Sequence, residues 1–157
     1  MFNKEATNQM VEHLNIILGN ELVAINQYFL HAKILQDQGI NKLAAKEREE
    51  SIDEMNHADW IIARILFLKG TPNMINYRKL NVGANVKDML QSDLDLEFIA
   101  LKDLKVAIKY AAEINDVGSK ELLEKILVSE ESHQDFLEVQ LSLIDQVGIQ
   151  NYITTQI

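Results

Sequence analysis

At 157 residues with 47% apolar side chains, the chain can build one hydrophobic core and is too short for two comfortable ones. A net charge of −9, from 15 basic and 24 acidic residues, argues against nucleic acid as the main partner, because phosphate binding wants a basic patch. With no cysteine, disulfides, thiolate metal sites and cysteine nucleophiles are excluded.

The polar first ten residues lack a signal peptide's apolar run, and no stretch approaches the roughly 20 apolar residues that span a bilayer. A soluble cytoplasmic protein with no membrane partner is therefore expected. One proline, Pro72, and six glycines leave room for long helices.

The first helical pattern covers about 8–38, with an inward stripe of Leu14, Leu18, Glu21, Ile25, Tyr28, Ala32 and Leu35 at alternating three- and four-residue steps. Gly39 marks its end. The second covers about 41–69 and carries Glu54, His57, Ile61, Ile65 and Leu68. A longer connection, 70–84, holds Pro72 and Gly83.

The third pattern, about 85–114, presents Leu90, Leu94, Glu97, Leu101, Leu104, Ile108 and Ala111. The fourth, about 119–146, follows a break near Gly118 and presents Leu123, Ile126, Glu130, His133, Leu137, Leu141 and Ile144. After Gly148, the tail 149–157 suffices for a turn or two of helix. Two short connections and one long crossover predict two antiparallel hairpins joined end to end, an all-α four-helix bundle in a single domain.

Each apolar stripe is interrupted by acid near its middle: one glutamate on helices one and three, Glu-x-x-His on helices two and four. Residues three apart share a helical face, so a Glu and a His there can grip one ion. Burying four carboxylates without compensation costs several kcal/mol per ion even after relaxation. Two divalent cations would match their charge, and two neutral imidazoles would complete the ligand set. Oxygen ligands with a few imidazoles suit iron or manganese, and zinc is possible. A single Glu-x-x-His on a solvated helix is commonplace; two of them on apolar faces, with two mid-stripe glutamates, predict a metal centre of Glu21, Glu54, His57, Glu97, Glu130 and His133. His13 and His31 lack such partners and read as surface or packing histidines.

The stretches Leu18–Phe29, Glu50–Asp59, Arg64–Leu68, Ser92–Glu97 and Glu130–His133 resemble bacterioferritin, a haem-containing ferritin family, over essentially the whole chain. The resemblance implies a ferritin-like bundle with a short fifth helix. It also implies a ferroxidase di-iron centre at those six residues, Glu54 and Glu130 bridging, Glu21 with His57 on one iron and Glu97 with His133 on the other. Tyr28 matches a tyrosine beside the family's site; it either helps electron transfer or is a core tyrosine bonded to a ligand carboxylate.

Met55 matches the axial ligand of haem b shared by two subunits across a two-fold axis. At about 100° per residue it points well away from the Glu54 and His57 face, with Leu22, Asn26 and Phe29 similarly displaced on the first helix. Glu49 stands where some relatives carry a histidine at an inner-surface iron site with Asp53, and Phe136 where some carry tryptophan; the only tryptophan here is Trp60.

By resemblance, then, the chain is a subunit that oxidises Fe(II) with O2 or H2O2. It would store ferric mineral in a 24-subunit cage of two-fold dimers and release iron through haem, fed by a small [2Fe-2S] ferredoxin. The rivals are a haem-binding structural shell subunit and a rubrerythrin-like di-iron peroxidase.

Overall fold

The computed structural model describes residues 3–75 and 78–157. Positions 76 and 77 of the expected crossover, like 1 and 2, lie outside the described residues. Among the described residues five helices run in order: α1 (Lys4–Asp37), α2 (Asn41–Phe67), α3 (Val86–Glu113), α4 (Val117–Val147) and the short α5 (Ile149–Thr154). No strand occurs among the described residues. The all-α bundle expected from the periodicity is present.

Helix starts are set by side chains that accept the first free backbone N–H groups. Asn3 accepts from Ala6 at 2.7 Å, which starts α1 earlier than the apolar stripe suggests. Asn85 does the same for α3 with Asp88 at 2.9 Å, and Asp116 for α4 with Ser119 at 3.1 Å. α2 has no side-chain cap; instead the Gln156 carbonyl accepts from Lys42 N–H at 2.8 Å, so the chain after α5 closes the start of α2.

The break expected near Gly118 falls at residues 114–116. Gly118 lies in the first turn of α4, and the left-handed position after α3 falls to Asn115, with φ 58°. A Cβ at 118 would stand 2.8 Å from the Arg64 guanidinium, so any larger residue there must push that side chain aside.

α1 lies against α2 and α3 against α4, with α1 also touching α3, and α5 rests on α4. The apolar interior divides in two. One cluster holds Leu14, Leu18, Ile61, Ile65, Leu104 and Ile126; the other holds Leu35, Leu43, Leu90, Leu94, Leu137 and Tyr152. Along every long helix the acidic residues of the stripe fall between these clusters. The bundle is thus an apolar column with a polar layer across its middle. No described helix is long and apolar enough to cross a membrane.

Candidate metal centre

All six predicted residues meet in that polar layer. Glu21, Glu54, Glu97 and Glu130, with His57 and His133, are at most 3% exposed. They form two groups able to grip an ion, Glu21–Glu54–His57–Glu130 and Glu54–Glu97–Glu130–His133, with ligand atoms in each group within 4.8 Å of one another. Glu54 and Glu130 belong to both.

His57 Nδ1 lies 2.9 Å from Glu130 Oε1, 3.4 Å from Glu54 Oε2 and 3.6 Å from Glu21 Oε2. His133 Nδ1 lies 2.7 Å from Glu97 Oε1. Tyr28, fully buried, donates its hydroxyl proton to Glu97 and sets its ring edge-on to His133, centroids 5.1 Å apart. The Nδ1 atoms of both histidines point into the cluster, as ligands to a cation held there would.

Packed together out of water, these carboxylates oppose one another's ionisation. Burial, then the neighbouring carboxylates, push Glu21, Glu54 and Glu97 well above the usual carboxylate range. Burial also works to raise Glu130, but hydrogen bonds with Glu97, His57 and Glu54 overcome it and pull the group down to about 2. Burial opposes charge on His57, yet its bonds to Glu130 and Glu54 lift it to about 10. Without cations, protons on three glutamates and on His57 supply what compensation there is, so binding a cation must displace them. Among buried oxygens, Glu21 Oε1 and Glu97 Oε2 receive no protein hydrogen bond. Such orphans are what a donor set awaiting cations displays.

Met55 sits on the opposite, outward face of α2, 56% exposed, and Ile52 and Phe29 present apolar surface at 49% and 48%. Glu49 is exposed, and Asp53 half-buried, one turn apart on α2. Lys46 pairs with Glu49 at 3.7 Å and Glu50 at 2.9 Å, partly neutralising that acidic edge. Trp60 stands beside His57, ring centroids 5.4 Å apart, under the Lys125 ammonium.

The reading of His31 as an unpartnered histidine is corrected. It is fully buried, Nδ1 is 2.9 Å from Asp93 Oδ1, and Glu47 completes a third acid–imidazole group. His13 does behave as a packing residue, half-buried against the Tyr110 ring. Glu50, 3.6 Å from His133, also went unremarked in the sequence. The signal was available: Glu47, Glu50, Glu54 and His57 continue one three-four-three stripe, and His31 lies three residues beyond Tyr28 on the stripe of Glu21.

A ferritin-like domain model matches residues 11–147. The bacterioferritin of Rhodobacter capsulatus is 46% identical over 144 residues, 92% of this chain and 89% of its own. That of Brucella melitensis is 44% identical over the same shares, and the bacterial ferritin of Synechocystis is 41% identical over 94% of this chain and 95% of its own. A bundle with one long crossover, six inward ligand-type side chains in its polar layer and relatives this close along nearly the full chain place the protein in the ferritin family, among the bacterioferritins.

Proposed function

We propose that the chain is an iron-storage subunit that binds two Fe(II) as substrate within one four-helix bundle and oxidises them to Fe(III). The observation that carries this reading is that Glu54 and Glu130 are common to both four-residue groups. Two shared carboxylates hold two ions close enough to give their electrons to one oxidant, O2 or H2O2, which is the template role of a two-metal site. Glu21 with His57 faces one ion and Glu97 with His133 the other. Tyr28 holds Glu97 in place through its hydroxyl. The four carboxylates cancel the charge of two divalent ions, and the apolar clusters on either side keep bulk water away.

Ferric product then collects as mineral inside a cage of 24 such subunits assembled from two-fold dimers. The inward acids Glu49 and Asp53 offer a staging point for iron, weakened by Lys46.

Haem b fits the outer face of α2: an exposed methionine among exposed Ile52 and Phe29 gives a soft sulfur donor and apolar walls that a second subunit would cover. Met55 would hold it, and haem would supply one-electron redox chemistry for mineral reduction, with a small [2Fe-2S] ferredoxin as donor. Replacing Met55 with Leu should abolish the Soret band of the purified protein; a retained band refutes the assignment.

The central test is stopped-flow Fe(II) oxidation by the doubly substituted Glu21→Ala, Glu54→Ala protein. A loss of about 100-fold or more in initial rate is expected, in line with removing directly ligating groups. Unchanged kinetics would sink the proposal.

A further inference from the structure

The two halves of the metal centre are closed off from solvent in different ways. Outside His57 stands Trp60, ring centroids 5.4 Å apart, and the Lys125 ammonium lies 4.1 Å over the indole. An indole has a donor and no acceptor, and this ring face is already taken by that ammonium. Trp60 therefore offers an arriving cation no ligand.

Outside His133 the side chains are of the opposite kind. Glu50 is nearly buried and lies between centre and surface: Oε2 is 3.6 Å from His133 Nδ1, and Oε1 is 2.9 Å from Lys46 Nζ. The same ammonium is 3.7 Å from the exposed Glu49. It also lies 5.0 Å over the Phe136 ring, which stacks on His133 with centroids 6.4 Å apart. Asp53, half-buried, continues this acidic edge one turn further along α2. Carboxylates thus lead from solvent to the His133 half, with one fixed positive charge standing among them.

The acid that Lys46 pairs with is not a solvated surface group, since Glu50 spans the gap to a histidine of the centre. A basic residue four positions before an acid is the weaker order of a helical pair. Lys46 is also partly exposed, so its ammonium is held in place yet free to swing into water.

We propose that Lys46 is a tethered cation guarding the His133 side of the centre. Its ammonium occupies the place beside Glu49 and Glu50 that an entering divalent cation must take, so loading is an exchange of one cation for another. This rests on the two-cation reading of the centre and names the residue that sets its rate of filling. A divalent ion brings twice the charge to the same carboxylates and can displace the ammonium; a monovalent ion has no such advantage over a tethered competitor. No covalent bond is made or broken.

The test is stopped-flow absorbance of metal-free full-length protein mixed with Co(II) in the absence of oxygen. At roughly 0.5 M salt the screening length is about 4 Å, which suppresses the pull of distant surface charges. Lys46→Met keeps the aliphatic stem without the charge and is expected to load about tenfold faster. Lys46→Arg keeps the charge and grips carboxylates at least as well, so it should load no faster than the unsubstituted protein. Lys125→Met, which strips the ammonium from the His57 side, should stay within about twofold. All four proteins should end at two Co(II) per subunit.

Loading of Lys46→Met at the unsubstituted rate overturns the proposal. So does equal acceleration in Lys46→Arg, which makes the effect one of packing, or in Lys125→Met, which makes it one of net charge. A Lys46→Met protein that binds fewer than two Co(II) makes the residue a structural support and overturns it as well. Fewer than two Co(II) in the unsubstituted protein removes the centre itself, and the guard with it, a distinguishable outcome.

Discussion

At the scale of single residues, burial of the acid–imidazole cluster favours protons on its glutamates, and this gives stability an unusual dependence on pH. Glu21, Glu54 and Glu97 have raised values in the fold, so their contribution is complete below about 4.5 and fades as pH climbs through the folded values. Asp93, at about 7 against 3.8, loses its contribution over that interval, and His57, at about 10 against 6.5, loses its own above it. Glu130 has the opposite sign: depressed to about 2, it contributes above 4.5 and fails as pH falls towards 2. The raised groups outnumber the depressed one. The melting temperature of metal-free protein should therefore fall between about pH 5 and about pH 8, and two bound Co(II) should flatten or reverse the slope. A calorimetric series in which metal-free protein melts higher at the upper pH would contradict this. The six residues of the centre were legible in the sequence because an acid interrupting an apolar stripe is a local signal. His31, Glu47 and Asp93 were not read because their partnership joins three helices, although each lies on the same stripes one or two turns further along.

At the scale of helices, the ends are held by a few polar groups whose loss can be measured. Asp116 caps α4 and also accepts from Arg64 of α2 at 2.6 Å, while Arg64 Nε donates to Ser119 at 2.8 Å. Asp116→Ala removes the cap and the carboxylate partner of a half-buried guanidinium, so urea unfolding should show a loss of about 1–3 kcal/mol. Within the apolar column, Leu104 is wholly buried, and Leu104→Ala should cost about 2–5 kcal/mol. Val128, 65% exposed on α4, is the control: its alanine variant should stay within about 0.5 kcal/mol. Helix number, order and the long crossover were legible from periodicity and breakers. The boundaries were less so, because α1 is started by Asn3 and α4 by Asp116, caps outside the apolar pattern. Nothing local in the sequence announces that the chain's end would close α2 through Gln156.

At the scale of the whole molecule, the surface carries apolar side chains that one bundle leaves unburied: Phe29, Ile52 and Met55 among them. On the proposed assembly these meet a second subunit. Phe29→Glu would then place like charges across the two-fold contact, and light scattering should show particles falling from a large shell towards single bundles while far-ultraviolet circular dichroism is retained. A full-sized shell from that variant would show that the contact lies elsewhere. The crossover has a separate bearing on how the molecule breathes. The amides of Asn81 and Gly83 belong to irregular chain, yet each is spent on a buried side-chain acceptor, Gln27 and His31. Deuterium should enter these two positions at rates typical of helical interiors, so this strand of coil opens only when the bundle beneath it loosens.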